Sequence, residues 1–173
     1  MLRLGRKIMI IGSGGSGKST LARKLGEILK LPVIHLDKEF WNPGWIETPK
    51  EEWYKKQRNL MLKPEWIADG NFGGSLEIRL EKADSIIFLD FNRLTCIWGV
   101  IKRWFTNYGK TRHDMTEGCD EKIDLQFLKW IWNYPLNSRP NVMAKISKYK
   151  NIELIIVKNR KEIKHIIKNI MIN

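Results

Sequence analysis

The stretch KIMIIGSGGSGKST, residues 7–20, runs from an apolar segment through a glycine-rich loop into a helical pattern. Its first five residues read as a short buried-type strand, and Leu21, Leu25 and Ile28 recur at helical spacing beyond the loop. Between them, Gly12 to Ser19 fits G-x-x-x-x-G-K-[ST] without a mismatch. The chemistry of such a loop lies in its backbone. Glycines let successive N–H groups turn inward around a phosphate, and the helix N-terminus adds a favourable dipole. Gly12, Ser13, Gly14, Gly15, Ser16, Gly17, Lys18, Ser19 and Thr20 are therefore the expected nucleotide-binding residues. Lys18 should reach the β- and γ-phosphates as a point charge, while the Ser19 hydroxyl ligates Mg2+. The loop holds a phosphate without saying where that phosphate goes.

Outward from this segment, strands and helices alternate. LPVIHLD (31–37) is a second strand ended by Asp37, and TPKEEWYKKQRNLMLK opens a helix with Thr48 as N-cap and Pro49 in the first helical position. EWIADG and DSIIFLDF (84–91) are the third and fourth strands, followed by a helix over about 93–108. The polar segment GKTRHDMTEGCDEK (109–122) has no apolar periodicity and reads as a mobile lid. Two helices, about 123–132 and 140–149, lead to the strand IELIIVK and a closing helix with Ile163, Ile166, Ile167 and Ile170 on one face. This order implies one α/β domain over 1–173, a five-stranded parallel sheet flanked by helices, with ligands at the carboxyl ends of the strands.

At 173 residues the chain can bury a core without disulfides, and Cys96 and Cys119 match no metal-ligand spacing, so both are expected as free thiols of a cytoplasmic protein. No run of eighteen apolar residues calls for a membrane. The N-terminal MLRLGRKIMIIG is too short in its apolar part for a signal peptide, and its cleavage would remove the phosphate loop. The net charge of +12 admits nucleic acid as a partner without favouring it: Lys outnumbers Arg 21 to 10 and the lysines are scattered.

Other motifs narrow the fate of the phosphate. The N-K-x-D and D-x-x-G of switch GTPases are absent, and IIFLDF ends in Asp90 without the adjacent glutamate of a hydrolytic ATPase. A phosphotransferase instead needs an acceptor pocket and a means to exclude water. Asp37 stands where it can approach the metal or take an acceptor proton. KEFWNPGW supplies Phe40, Trp41 and Trp45 as an apolar wall, and DGNF adds Asp69 and Asn71. Arg79 is a candidate clamp for an acceptor phosphate or carboxylate, its alternative being a surface pair with Glu77 or Glu81. Arg103, Arg112 and Arg139 are expected to close over the phosphates, with Asp90 beside Ser19 on the metal. His113 and Cys119 are read as bystanders.

The combination of IMIIGSGGSGKSTLARKLG, HLDKEFWNPGW, WIADGNFGG, IIFLDFNR and TRHDMTEGC resembles the FlaR-type DNA topology modulation proteins, relatives of adenylate kinase and other small-molecule kinases. The resemblance spans most of the chain. It implies a nucleoside monophosphate kinase fold, ATP on residues 12–20, Mg2+ near Asp90 and a lid near Arg112. Related kinases carry two arginines four residues apart on the helix after the fourth strand; here Arg103 fills the second position and Gly99 the first. DGNF also replaces the GFPR of adenylate kinases, so AMP is not implied as acceptor. The leading expectation is an ATP-dependent kinase of an unidentified small molecule, nucleotide or nucleoside. The second is an ATP-responsive DNA-topology or transcription regulator with a basic surface, and the third is nucleotide binding without turnover.

Overall fold

In a computed structural model, which describes residues 4–172, strands β1 (Lys7–Gly12), β2 (Val33–His35), β5 (Trp66–Asp69), β6 (Ser85–Leu89) and β7 (Glu153–Val157) form one parallel sheet in the order β2-β5-β1-β6-β7. The remaining strands, β3 (Trp41–Asn42) and β4 (Ile46–Glu47), pair as a small antiparallel hairpin. Alternation along β1 sorts the core. Ile8 and Ile10 pack with Leu21, Leu25 and Ile166 on one face, while Met9 and Ile11 pack with Trp53, Trp66 and Ile146 on the other. Each large side chain so buried stabilises by about 1.5–3 kcal/mol, which is why both faces of a parallel sheet read as apolar runs.

Helices cover both faces: α1 (Lys18–Leu29), α2 (Leu36–Phe40), α3 (Lys50–Met61), α4 (Leu76–Leu80), α5 (Arg93–Asn107), α6 (Leu125–Ile146) and α7 (Arg160–Ile172). No described helix is long and apolar enough to cross a membrane. The five expected strands are present, with three local differences. The second strand stops at His35, and the chain turns into α2, burying Leu36 and putting Asp37 on a helix. Thr48 does not cap α3: its hydroxyl donates to the Phe40 carbonyl and closes the base of the hairpin, leaving Pro49 at the helix start.

The third difference is α6, one 22-residue helix where two were expected, with Pro135 and Pro140 inside it. Each proline removes one helical hydrogen bond. Buried Ile131, Tyr134, Val142 and Ile146 on either side of them anchor the helix to the core and outweigh that loss. Asp124 caps it by accepting from the backbone N–H groups of Gln126 and Phe127.

Candidate active site

The site opens at the carboxyl end of β1, where the backbone leaves the sheet as residues 12–17 and enters α1. Gly15 and Gly17 have positive φ of 74° and 94°, left-handed conformations that glycine adopts without strain and that phosphate-binding loops use. The Lys18 ammonium lies across this loop and donates to the Ser13 carbonyl at 2.9 Å. The loop is braced from behind by α5. A Cβ on Gly15 would stand 2.0 Å from the Cys96 carbonyl oxygen, and one on Gly99 would stand 2.1 Å from that of Gly15. Two glycines thus let a helix backbone lie directly on the phosphate loop. The residue that replaces the expected arginine at position 99 is there because no side chain fits.

A cleft of about 580 Å3 runs over this loop, within the usual size for a small-molecule site. One end is lined by Gly99, Lys102, Arg103, Phe127, Trp130 and Arg160, and Phe127 stacks on Trp130 with ring planes 10° apart. The other end holds Asp37, Trp41, Asn71, Phe72, His113 and Asp114. Asn71 accepts from the Gly12 N–H at 3.0 Å, tying the loop after β5 to the phosphate loop.

Charge concentrates where these halves meet. Burial lowers the Lys18 pKa against the opposing pull of Asp37 and Asp69. Burial also raises the Asp37 pKa, reinforced by Asp69 and Asp114 and opposed first by Lys18. Asp69 is buried and lies 2.6 Å from the His35 ring. Desolvation pulls the His35 pKa down, but the bond to Asp69 and its charge outweigh this and raise it. Asp114 accepts from the Ser19 hydroxyl; burial disfavours its charge, yet Arg112 and Ser19 hold its carboxyl below the usual range.

The segment 109–122 forms no helix or strand, only isolated bridges, but it packs rather than extending into solvent: Asp114, Met115, Cys119 and Glu121 are buried. Buried Glu121 binds Arg103 at 2.9 Å and Arg112 at 2.8 Å, and Arg112 also pairs with Asp114 at 3.2 Å. The segment is fastened to the hairpin. Gly44 N–H donates to Gly118 O at 3.0 Å, the Trp45 indole to Asp120 O at 3.2 Å, and the Cys119 thiol to Asn42 O at 3.2 Å. Thr116 adds a bond to Lys38 O at 2.7 Å. Cys119 is therefore part of this fastening and not incidental.

Three residues singled out in the sequence lie elsewhere than expected. Arg79 is fully buried and donates to the carbonyls of Gly70, Asn71 and Phe72; it shapes the loop instead of facing an acceptor or the surface. Asp90 and Arg139 bind each other through two contacts of 2.8 Å, and neither lines the cleft. Both carboxylate oxygens of Asp90 are thereby engaged by protein. Gly14, Gly15, Gly17, Lys18, Ser19, Thr20, Asp37, Trp41, Asn71, Arg103 and Arg112 all line one cavity, with Asp69 close enough to act on Lys18, while Gly12, Ser13 and Ser16 do not line it. Sequence reasoning passed over Asp114, His35 and Glu121. The signal for the acids was available, since arginines folded over a site need carboxylate partners of their own.

Solved structures with the same arrangement include shikimate kinase from Acinetobacter baumannii in complex with shikimate (TM-score 0.59, 14% identity, 95% of this chain and 89% of that one). A gluconokinase from Sinorhizobium meliloti matches with a TM-score of 0.55 at 13% identity over 99% of this chain and 92% of that one. Shikimate kinase from Aquifex aeolicus matches at 0.51 and 18% identity over 95% and 93%. No family model matches the chain, and no curated protein matches it in sequence. These likenesses establish the fold, which is that of P-loop small-molecule kinases with the nucleoside monophosphate kinase-like parallel sheet.

Proposed function

We propose that this chain is a cytoplasmic ATP-dependent kinase of a small hydroxyl compound, akin to the FlaR-type proteins it resembles. The observation that carries the reading is the meeting of Lys18, Ser19 and Asp37 on one cleft floor beneath the lid arginines Arg103 and Arg112. The triphosphate fits residues 12–19, whose glycines leave the backbone open and whose lysine already lies across the loop. Ser19 would hold Mg2+, which would supply charge neutralisation on the β- and γ-phosphates; Asp90 and Asp114, each paired with an arginine, fit that role less well.

Asp37 accepts the proton of the acceptor hydroxyl as its oxygen bonds to the γ-phosphorus and the bond to the β,γ-bridging oxygen breaks, releasing ADP. Lys18 neutralises the charge spread over the phosphoryl oxygens, while Arg103 and Arg112, already paired with Glu121, line the same cleft and add to its positive potential. Burial that raises the Asp37 pKa makes it a better proton acceptor than an exposed carboxylate. The lid keeps water from competing with the acceptor.

The test is ADP formation from Mg-ATP across nucleoside monophosphates, nucleosides, sugars and small acids. Strong acceptor-dependent turnover supports the reading; slow, acceptor-independent ADP release despite ATP binding overturns it. The brace behind the loop gives a second check. Gly99→Ala sets a methyl against the Gly15 carbonyl and should cost about 1–3 kcal/mol, seen as roughly 5- to 150-fold weaker Mg-ATP binding by calorimetry. Unchanged affinity would mean that α5 yields and the loop does not.

A further inference from the structure

We infer, resting on the kinase reading above, that the acceptor is a ring-bearing alcohol with no phosphate or carboxylate of its own, and that an added amine improves it. The acceptor end of the cleft is built from the carboxylates of Asp37 and Asp114, the amide of Asn71, and the rings of Trp41, Phe72 and His113, with buried Asp69 close behind. Recognition of an anionic acceptor requires a cation with free valence, and a guanidinium fork is the usual instrument.

The arginines and the lysine at this end of the cleft already have partners of their own. Arg79, the residue whose sequence position suggests a clamp, is fully buried and turned onto three backbone carbonyls. Arg112 is held by Asp114 and Glu121 together, and Arg103 by Glu121. The His35 ring faces Asp69 at 2.6 Å, His113 stands near Asp114, and Lys38 is exposed and does not line the cleft. Lys18 lies on the phosphate loop and serves the donor. Lys102 and Arg160 line the opposite end with the stacked Phe127 and Trp130. An anionic group seated by Trp41 would therefore meet two or three carboxylates, and the arginines and lysine that line the cleft there already have carboxylate or backbone partners. A neutral hydroxyl finds acceptors in those same carboxylates, an ammonium finds counter-charge, and a flat ring or sugar face finds Trp41.

This separates the chain from what the shape of its fold neighbours suggests. Shikimate and gluconate are both carboxylates. The inference predicts that a carboxylate is the wrong feature here.

The experiment uses matched pairs: adenosine against AMP, thymidine against its 5′-monophosphate, and glucose against gluconate, with glucosamine as the amine-bearing arm. Two readouts are taken on the full chain: ADP formation with Mg-ATP, and calorimetric binding of each compound in the presence of a non-hydrolysable ATP analogue. The expected result is at least a tenfold preference for the neutral or amine-bearing member, in turnover or in binding. Equal use of both members, or preference for the anionic one, overturns the inference while leaving the kinase reading intact. Binding of the ATP analogue with neither turnover nor binding of any pair member overturns both.

Discussion

Lys18→Ala is expected to lower acceptor-dependent ADP formation by about 100- to 1000-fold, and to move the acid limb of the residual activity to higher pH. The first effect follows from position. The Lys18 ammonium is the cation lying on the phosphate loop, held at 2.9 Å by the Ser13 carbonyl, and a charge fixed in a desolvated cleft counts for far more than one in water. The second follows from its partner. Burial is the main cause of the raised Asp37 pKa, and Lys18 is the strongest influence against it. Without the ammonium, the carboxyl keeps its proton to a higher pH. A base works only above its own pKa, so the rising limb of rate against pH must shift upward. Rate–pH profiles of both proteins with the best acceptor decide this. A loss below tenfold would remove Lys18 from the transfer step. A large loss with an unmoved limb would separate Lys18 from Asp37 and leave the proton another destination.

Arg79→Leu should cost about 3–5 kcal/mol of stability, since the carbonyls of Gly70, Asn71 and Phe72 all lose a fully buried donor and each orphaned polar group costs about 1–3 kcal/mol. The same loss is about 10 °C or more in Tm for a chain of this size. Arg79→Lys should recover little. A single ammonium has no planar fork to serve Gly70, Asn71 and Phe72 at once. Because Asn71 and Phe72 line the cleft, turnover should fall further than the folded fraction does. Urea unfolding of the three proteins, together with activity per folded molecule, tests both statements. A cost below about 1 kcal/mol would show that this loop holds its shape without the guanidinium.

The sheet and the phosphate loop were legible because both are written locally. Strands buried on two faces appear as short apolar runs, and the loop's chemistry needs glycine, lysine and serine at fixed offsets. What was not legible depends on partners distant in sequence. Asp90 and Arg139 are 49 residues apart, and nothing near either announces the other. Arg79 binds carbonyls, which every residue possesses, so no sequence pattern marks its acceptors. The prolines of α6 are genuine breakers by local rule, overruled by Ile131, Tyr134, Val142 and Ile146 packing on both sides of them. Gly99 carried a readable hint. A glycine in a helix interior costs about 1 kcal/mol against alanine, and here its smallness admits the Gly15 carbonyl.

The bonds between the hairpin and segment 109–122 have a kinetic meaning. Trp41 and Arg112 line the same cleft, proposed above to take the acceptor and the donor phosphates, and Gly44–Gly118, Trp45–Asp120 and Asn42–Cys119 join the hairpin and the lid segment into a single shutter. One half cannot swing away while the other stays. A molecule that leaves from either side must wait for the same rupture. On the proposed kinase reading, such a shutter would favour the forward reaction, because partners captured together would be converted before either escapes. On the same reading, product release would wait on the opening of this shutter, and that step rather than the chemistry would set turnover.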